Sequence, residues 1–199
     1  TYPELLLMDL PEDSPLRKPI FTIQKSGEKA AAIVQDLLTL ARRGVASREV
    51  VDLNRIVTEY ERSPEYRMLL SFYPGVEMEI RPTDDLLYIV GSPVHLSKTV
   101  MNLVSNAVEA IPDGGKVCVS MENRYIDSPV KGFDHVKKEG DYVVLTVADS
   151  GVGISPQDVK QIFEPFYTKK VMGRSGTGLG MAVVWGTVKD HGGFIDVQS

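Results

Sequence analysis

The chain has 199 residues, 43% of them apolar, enough for one full-sized domain with a smaller appendage. Lys and Arg number 22 against 27 Asp and Glu, and a net charge of −5 gives no reason to expect nucleic acid as the main partner. No apolar run reaches the roughly 20 residues that cross a bilayer, no basic-then-apolar export signal opens the chain, and the single cysteine excludes an intrachain disulfide framework and suits a reducing, cytoplasmic setting.

Tyr2, Leu5, Leu6, Met8 and Leu10 make an apolar helical stretch with no capping residue ahead of it, as though the chain opened inside a helix. Pro11 to Pro15 breaks it. From Pro19 to Arg43, Ile20, Ile23, Gly27, Ala30, Val34, Leu37 and Ala41 recur at spacings of 3, 4, 3, 4, 3 and 4, a heptad seam. Ile33, Leu38 and Leu40 widen the stripe to bundle width. So short a hairpin has little core of its own and is expected to be completed by a second copy, although a helix packed on its own domain would show a similar stripe.

Beyond residue 45 the pattern changes to that of a second domain, over 46–199. Asp52 can cap a helix carrying Leu53, Ile56, Val57 and Tyr60. Val76 to Arg81 alternates like a strand, and Leu86 to Val90 reads as a short apolar one. Pro93 can open a helix with Leu96, Val100, Leu103, Val104, Ala107 and Val108 as its buried stripe. Asp113-Gly114-Gly115 is a hairpin-type turn into a strand from Lys116 to Glu122, in which Cys118 reads as a small core residue. Residues 125–140 read as a loop insertion and Tyr142 to Ala148 as a buried strand. A short helix over 156–163, a glycine-containing loop over 164–177, a helix over 178–191 and a strand cut off by the chain end at Phe194 to Gln198 complete the reading. The fold class is α/β (α+β): a sandwich with helices on one face of a mixed sheet, preceded by an antiparallel helical hairpin.

Three constellations carry chemistry. On the helix from Pro93, Asn102, Asn106 and Glu109 are spaced by 4 and 3 and share one face. Carboxamide oxygens in such a row suit Mg²⁺, which takes one or two protein oxygens and fills its octahedron with phosphate and water; alone, the row is equally an amphipathic helix with its polar side in water. Asp149-Ser150-Gly151-Val152-Gly153-Ile154 puts a carboxylate and two glycines at a strand end, where the carboxylate can accept from an exocyclic amine such as that of adenine; an ordinary turn has the same composition. Phe163-Glu164-Pro165-Phe166 leads through Lys169 and Lys170 to Gly176-Thr177-Gly178-Leu179-Gly180-Met181, a loop ending in glycines at a helix start, where free N–H groups attract phosphate. No Gly-Lys-Ser/Thr follows and no strand leads in, so it is neither a Walker loop nor a dinucleotide fingerprint.

In this order the motifs resemble the ATPase family that includes gyrase, MutL, the heat-shock chaperone ATPases and the histidine kinases, over about half of the chain. The Asn helix looks like the family's N box, Asp149 to Ile154 like its first glycine box, Phe163 to Phe166 like the F box and Gly176 to Met181 like the second glycine box. The resemblance implies a Bergerat-type sandwich with a lid at about Tyr167 to Ser175. It implies Mg-ATP as ligand, with Asn106 on the metal, Asp149 reading adenine, and Gly151 and Gly153 shaping the base pocket. Gly176 to Gly180 would cradle phosphate, and Asn102, Glu109, Ile154, Phe166, Lys170 and Met181 would line the site. Water-splitting relatives place a carboxylate at the position of Asn102, which cannot serve as a general base, so transfer to a nucleophile such as neutral imidazole is expected.

The run from Phe163 to Lys170, the stretch from Ala182 to Gly193 and the heptad helix look most like bacterial two-component sensor histidine kinases. That implies a homodimer through the hairpin, a response-regulator receiver domain as partner, and no membrane contact by this segment. The phosphoacceptor is expected before Thr1, because none of the three histidines, His95, His135 and His191, falls on the first hairpin helix, Thr1 to Leu10; all three read as structural or surface residues. Two alternatives share the ATP motifs: a serine kinase of the anti-sigma type, which normally lacks the hairpin, and a non-catalytic docking module with a degenerate site, which should have lost Asn106 or Asp149.

Overall fold

The computed structural model describes residues 1–41, 48–131, 136–169 and 177–199. It divides into two compact units, Thr1–Ala41 and Arg42–Ser199.

The first unit is two helices, α1 (Tyr2–Asp9) and α2 (Arg17–Ala41). Thr1 stands in the N-cap position of α1, and Glu4 lies in its first turn. Arg17 clasps the other end, its Nη1 donating to the carbonyls of Leu7 (2.7 Å) and Leu10 (2.8 Å), which α1 leaves without helical partners. Several heptad positions of α2 are exposed: Ile23 is 63% exposed and Val34 55%.

The second unit begins with β1 (Glu49–Val51), α3 (Leu53–Glu61) and α4 (Pro64–Phe72). Asp52 caps α3, accepting from the Asn54 N–H at 2.9 Å, and the helix buries Leu53, Ile56, Val57 and Tyr60. Then follow β2 (Val76–Arg81), β3 (Ile89–Gly91), α5 (Pro93–Glu109), β4 (Gly115–Ile126), β5 (Val130–Lys131), β6 (Val136–Lys137), β7 (Gly140–Asp149), α6 (Pro156–Val159) and α7 (Gly180–Asp190). The main sheet has the order β2-β4-β7, with β2 parallel to β4 and β4 antiparallel to β7; β1 pairs β3, and β5 pairs β6. A parallel neighbour requires a crossover, and α5 supplies it, lying across the sheet with Val100, Val104 and Val108 buried against Val117, Val119 and Met121 of β4. This is the α/β sandwich expected, with its helices on one face of a mixed sheet.

Several local expectations are corrected. The strand expected at Leu86 to Val90 is confined to β3, because the Asn123 side chain takes the backbone of the preceding residues, accepting from the Leu87 N–H (2.9 Å) and donating to the Asp85 carbonyl (2.9 Å). Asp113-Gly114-Gly115 is no hairpin: it joins α5 to β4, and Gly114 at φ +92° turns the chain so that the Gly115 N–H donates to Gly75 O at 3.1 Å. Much of the expected loop insertion is strand, since β4 and β7 pair as far as Ile126 with Gly140 and the β5–β6 ribbon stands between them. The helix expected over 156–163 is regular only in α6, and Phe194 to Gln198 forms no strand. Cys118 is not core. Alternation sends Val117 and Val119 inward, so Cys118 is half-buried on the other face, in register with Glu79.

The α5 stripe sets a stability test. Val104→Ala, at a site 1% exposed, should cost about 2 kcal/mol, whereas Val94→Ser, 75% exposed, should cost less than about 0.5 kcal/mol, both read by urea unfolding.

Candidate functional site

Two of the expected ligand residues, Asn102 and Gly180, meet where α5 touches the start of α7. Ser92 opens α5, its side chain facing the His95 N–H, and the helix carries Asn102 and Asn106 one turn apart on a half-buried face. Asn102 Nδ2 donates to the carbonyl of Gly180, the first residue of α7, at 3.1 Å. This fixes which end of the carboxamide meets the helix start, and Asn102 Oδ1 has no hydrogen bond among the described residues. A Cβ on Gly180 would meet the Asn102 side chain at 3.4 Å, an ordinary packing contact, so the two residues are neighbours without glycine being required there. No side chain caps α7. Its first N–H groups therefore carry the partial positive charge of a helix start that attracts anions.

Asp149 ends β7, exposed, with Oδ1 accepting from the Gly151 N–H at 2.9 Å and Oδ2 without a hydrogen bond among the described residues. The glycines around it have separate reasons. A Cβ on Gly151 would stand 2.4 Å from the Ala110 carbonyl oxygen, and the Val152 N–H donates to that same oxygen at 3.0 Å. Gly151 is needed to seat the loop on the end of α5, whatever it also does for a base. Gly178, at φ +69°, lies on the backbone of Phe166, whose N–H donates to Gly178 O at 2.9 Å. That bond brings the two ends of the intervening loop together. It holds Phe166 at φ +67°, a conformation costly for a bulky residue, with the side chain 62% exposed.

Other expected site residues are placed differently. Leu179 is fully buried, so it can offer a ligand only backbone, and its N–H already faces Thr177 Oγ1 at 3.2 Å. Met181 and Thr177 are half-buried, and the Ile154 N–H, next to Gly153, donates to Ser199 Oγ at 2.6 Å. Glu109 acts on Tyr73, whose phenol is pushed above its ordinary pKa by burial first and by the Glu109 charge second. Lys170 and Gly176 lie outside the described residues, as does His135. Lys169 is committed elsewhere: its Nζ lies 2.5 Å from Asp158 Oδ2.

Asp158 is the centre the sequence reading missed. Its carboxylate accepts from Lys169, from Tyr167 Oη (2.7 Å) and from Ser155 Oγ (2.7 Å), fastening the residues after the F box to α6. The signal was present in Ser155-Pro156-Gln157-Asp158, the Ser-x-x-Asp pattern of a capped helix start. The Lys169 bond first, then Ser155 and Tyr167, hold the Asp158 carboxyl well below the usual carboxylate range, and Asp158 in turn raises the Lys169 ammonium. Behind it, Phe163 stacks on Trp185 of α7 at 4.9 Å between centroids, and Lys189 Nζ lies 4.4 Å above the indole.

The fold is that of a nucleotide-binding sandwich, and in it an asparagine-bearing helix meets a helix start that has no side-chain cap hydrogen bond. Residues 91–199 match the family described as histidine kinase-, DNA gyrase B-, and HSP90-like ATPase, and the chain belongs to that family, which implies that it binds ATP. Sensor kinase CckA of Brucella abortus is 34% identical over 198 residues, 98% of this chain and 20% of the relative. Sensor histidine kinase ZraS of Salmonella typhimurium is 32% identical over 178 residues, 88% of this chain and 33% of the relative. The chain thus spans between a fifth and about a third of the length of these curated relatives. Among solved structures, the mycobacterial sensor histidine kinase MprB superposes with a TM-score of 0.54 at 26% identity, over 73% of this chain and 80% of that one. Full-length ShkA shares the fold, with a TM-score of 0.63 at 23% identity over 94% of this chain and 36% of that one. The domain is therefore of the ATP-binding catalytic type found in sensor histidine kinases.

The Asp158 cluster carries a pH prediction. A carboxyl lowered by folding stabilises above its unfolded pKa of about 4 and loses that contribution as pH falls through the folded value. A raised ammonium stabilises below its unfolded pKa of about 10.5 and loses that as pH rises through the folded value. Amide-exchange protection at Tyr167 and Lys169 should therefore be constant from about pH 5 to 9, and Asp158→Asn should lower it throughout.

Proposed function

We propose that this chain is the Mg-ATP-binding kinase portion of a sensor histidine kinase, passing the γ-phosphoryl group to a histidine outside the chain for relay to an aspartate on a receiver domain. The observation that supports the reading is the tie between Asn102 and Gly180, which brings the Asn102 carboxamide to the start of α7. Phosphate oxygens would lie on the first N–H groups of α7, and the free oxygen of Asp149 would accept from the adenine amine.

The donor set suits magnesium. Among the described residues no group of three or more His, Cys, Asp and Glu could hold a metal. Asn106 would hold the cation through its neutral carboxamide oxygen, and phosphate and water would supply the remaining ligands. Bound there, Mg²⁺ would neutralise charge on the β- and γ-phosphates. The contribution of the chain is placement: the phosphorus is held in line for the imidazole nitrogen, the P–N bond forms as the bond to the β–γ bridging oxygen breaks, and ADP leaves. Neutral imidazole needs no base to attack, in keeping with an amide at Asn102.

Dimerisation belongs to the same proposal. The exposed seam of α2, Ile23, Val34 and Leu37 among it, suits a second copy of the hairpin. No helix among the described residues is long and apolar enough to cross a membrane, and the segment is assigned to the cytoplasm, where ATP and receiver domains are found.

Calorimetry with ATP tests the site. Asp149→Ala should weaken binding by roughly 10- to 100-fold, the worth of one charge-assisted hydrogen bond, with unchanged thermal stability. Asn106→Ala should erase the gain in affinity that Mg²⁺ gives the wild type. Wild-type affinity in the Asp149 variant would retire the adenine assignment.

A further inference from the structure

We propose that His191 is a positioning residue for the nucleotide site, pinning α7 to α5 at the end opposite the ligand. His191 lies just past the last turn of α7. The backbone N–H of Ser92, the cap of α5, donates to His191 Nε2 at 2.9 Å. A backbone amide can only donate, so Nε2 is the acceptor and the ring proton sits on Nδ1, which donates to the Thr187 carbonyl at 2.7 Å. Both ring nitrogens are occupied, and the imidazole is a tether in its neutral form.

The geometry around the ring is built for it. A Cβ on Gly91 would stand 2.5 Å from His191 Cδ2 and 2.6 Å from Nε2, so the imidazole occupies the space that the absent side chain leaves. Arg48 adds a second clasp at the same end, its Nη2 donating to the Asp190 carbonyl at 2.7 Å.

This tether gains its meaning from the other one. Ser92 meets His191 at one end of the helix pair, and Asn102 meets Gly180 at the other. Ten residues along α5 and eleven back along α7 separate the two bonds, so the helices run antiparallel and are stapled twice. A helix fixed at one end can still slide or rotate by part of a turn on an apolar face of Val and Ala side chains, whereas two fixed points set its register. The staple at His191 therefore determines where the start of α7 stands relative to Asn102 and Asn106, although His191 touches no ligand.

The test rests on the nucleotide reading above and is arranged to separate the two. Binding of a non-hydrolysable ATP analogue with Mg²⁺ is measured on the full 199-residue chain, together with thermal stability and the side-chain amide resonances of Asn102. His191→Phe keeps ring bulk without an acceptor; His191→Gln offers Oε1 near the position of Nε2; Gly91→Ala displaces the ring and leaves the imidazole intact. His191→Phe and Gly91→Ala should each bind roughly fivefold more weakly, the worth of one hydrogen bond, and shift the Asn102 resonances, while His191→Gln stays near wild type. Wild-type affinity in a folded His191→Phe, or equal loss in His191→Gln and His191→Phe, would overturn the role. Should His191→Phe not fold, Gly91→Ala decides, and wild-type binding there overturns it. A wild type that binds no analogue refutes the nucleotide reading instead.

Discussion

The contact between Asn102 and Gly180 is the constraint on which the rest of the second unit depends. It joins the crossover helix, which the parallel β2–β4 pair obliges the chain to make, to the helix whose start is left without a cap. Everything upstream places Asn102: the Asp52 cap, the packing of α3 on α5, and the valine stripe seated on β4. Everything downstream places Gly180: the Phe166–Gly178 backbone bond and the buried Leu179, which anchors the helix start in the core.

Glycine in this site is largely a matter of backbone meeting backbone. Gly151 stands against the Ala110 carbonyl and Gly178 against Phe166, and each contact leaves no room for a Cβ. Gly151 and Gly178 therefore hold backbone against backbone whether or not a ligand is near. Phe166 carries the complementary strain, since its left-handed backbone is sustained only by the bond across the loop neck.

Much of this was legible in the sequence because it is written locally. Alternation gave β2 and the inner half of β4, the 3.6-residue stripe gave α5, and Asp52 announced α3. Asn102 and Asn106 lie on α5, Asp149 ends β7 and Gly178 precedes α7, as their motifs indicate. What escaped the reading was written at a distance. Leu86 to Tyr88 are apolar enough for a strand, but Asn123 claims their backbone. Polar residues beyond Glu122 are strand because β7 lies alongside them, and Cys118 faces outward because its neighbours face in. Phe166 supplies a backbone bond to Gly178, and Lys169, next to the expected site residue Lys170, is held by Asp158. No local pattern marks His191 as a partner of Ser92, 99 residues earlier.

The stack of Phe163 on Trp185 gives the molecule a property beyond packing. This is the sole tryptophan of the chain, and it is clasped between the ring that ends α6's turn and the ammonium of Lys189 on its own helix. Its fluorescence thus originates at a single point, on the helix whose start meets Asn102. Any rearrangement that parts the F box from that helix changes the polarity around one indole, so the protein carries its own optical gauge and needs no attached dye.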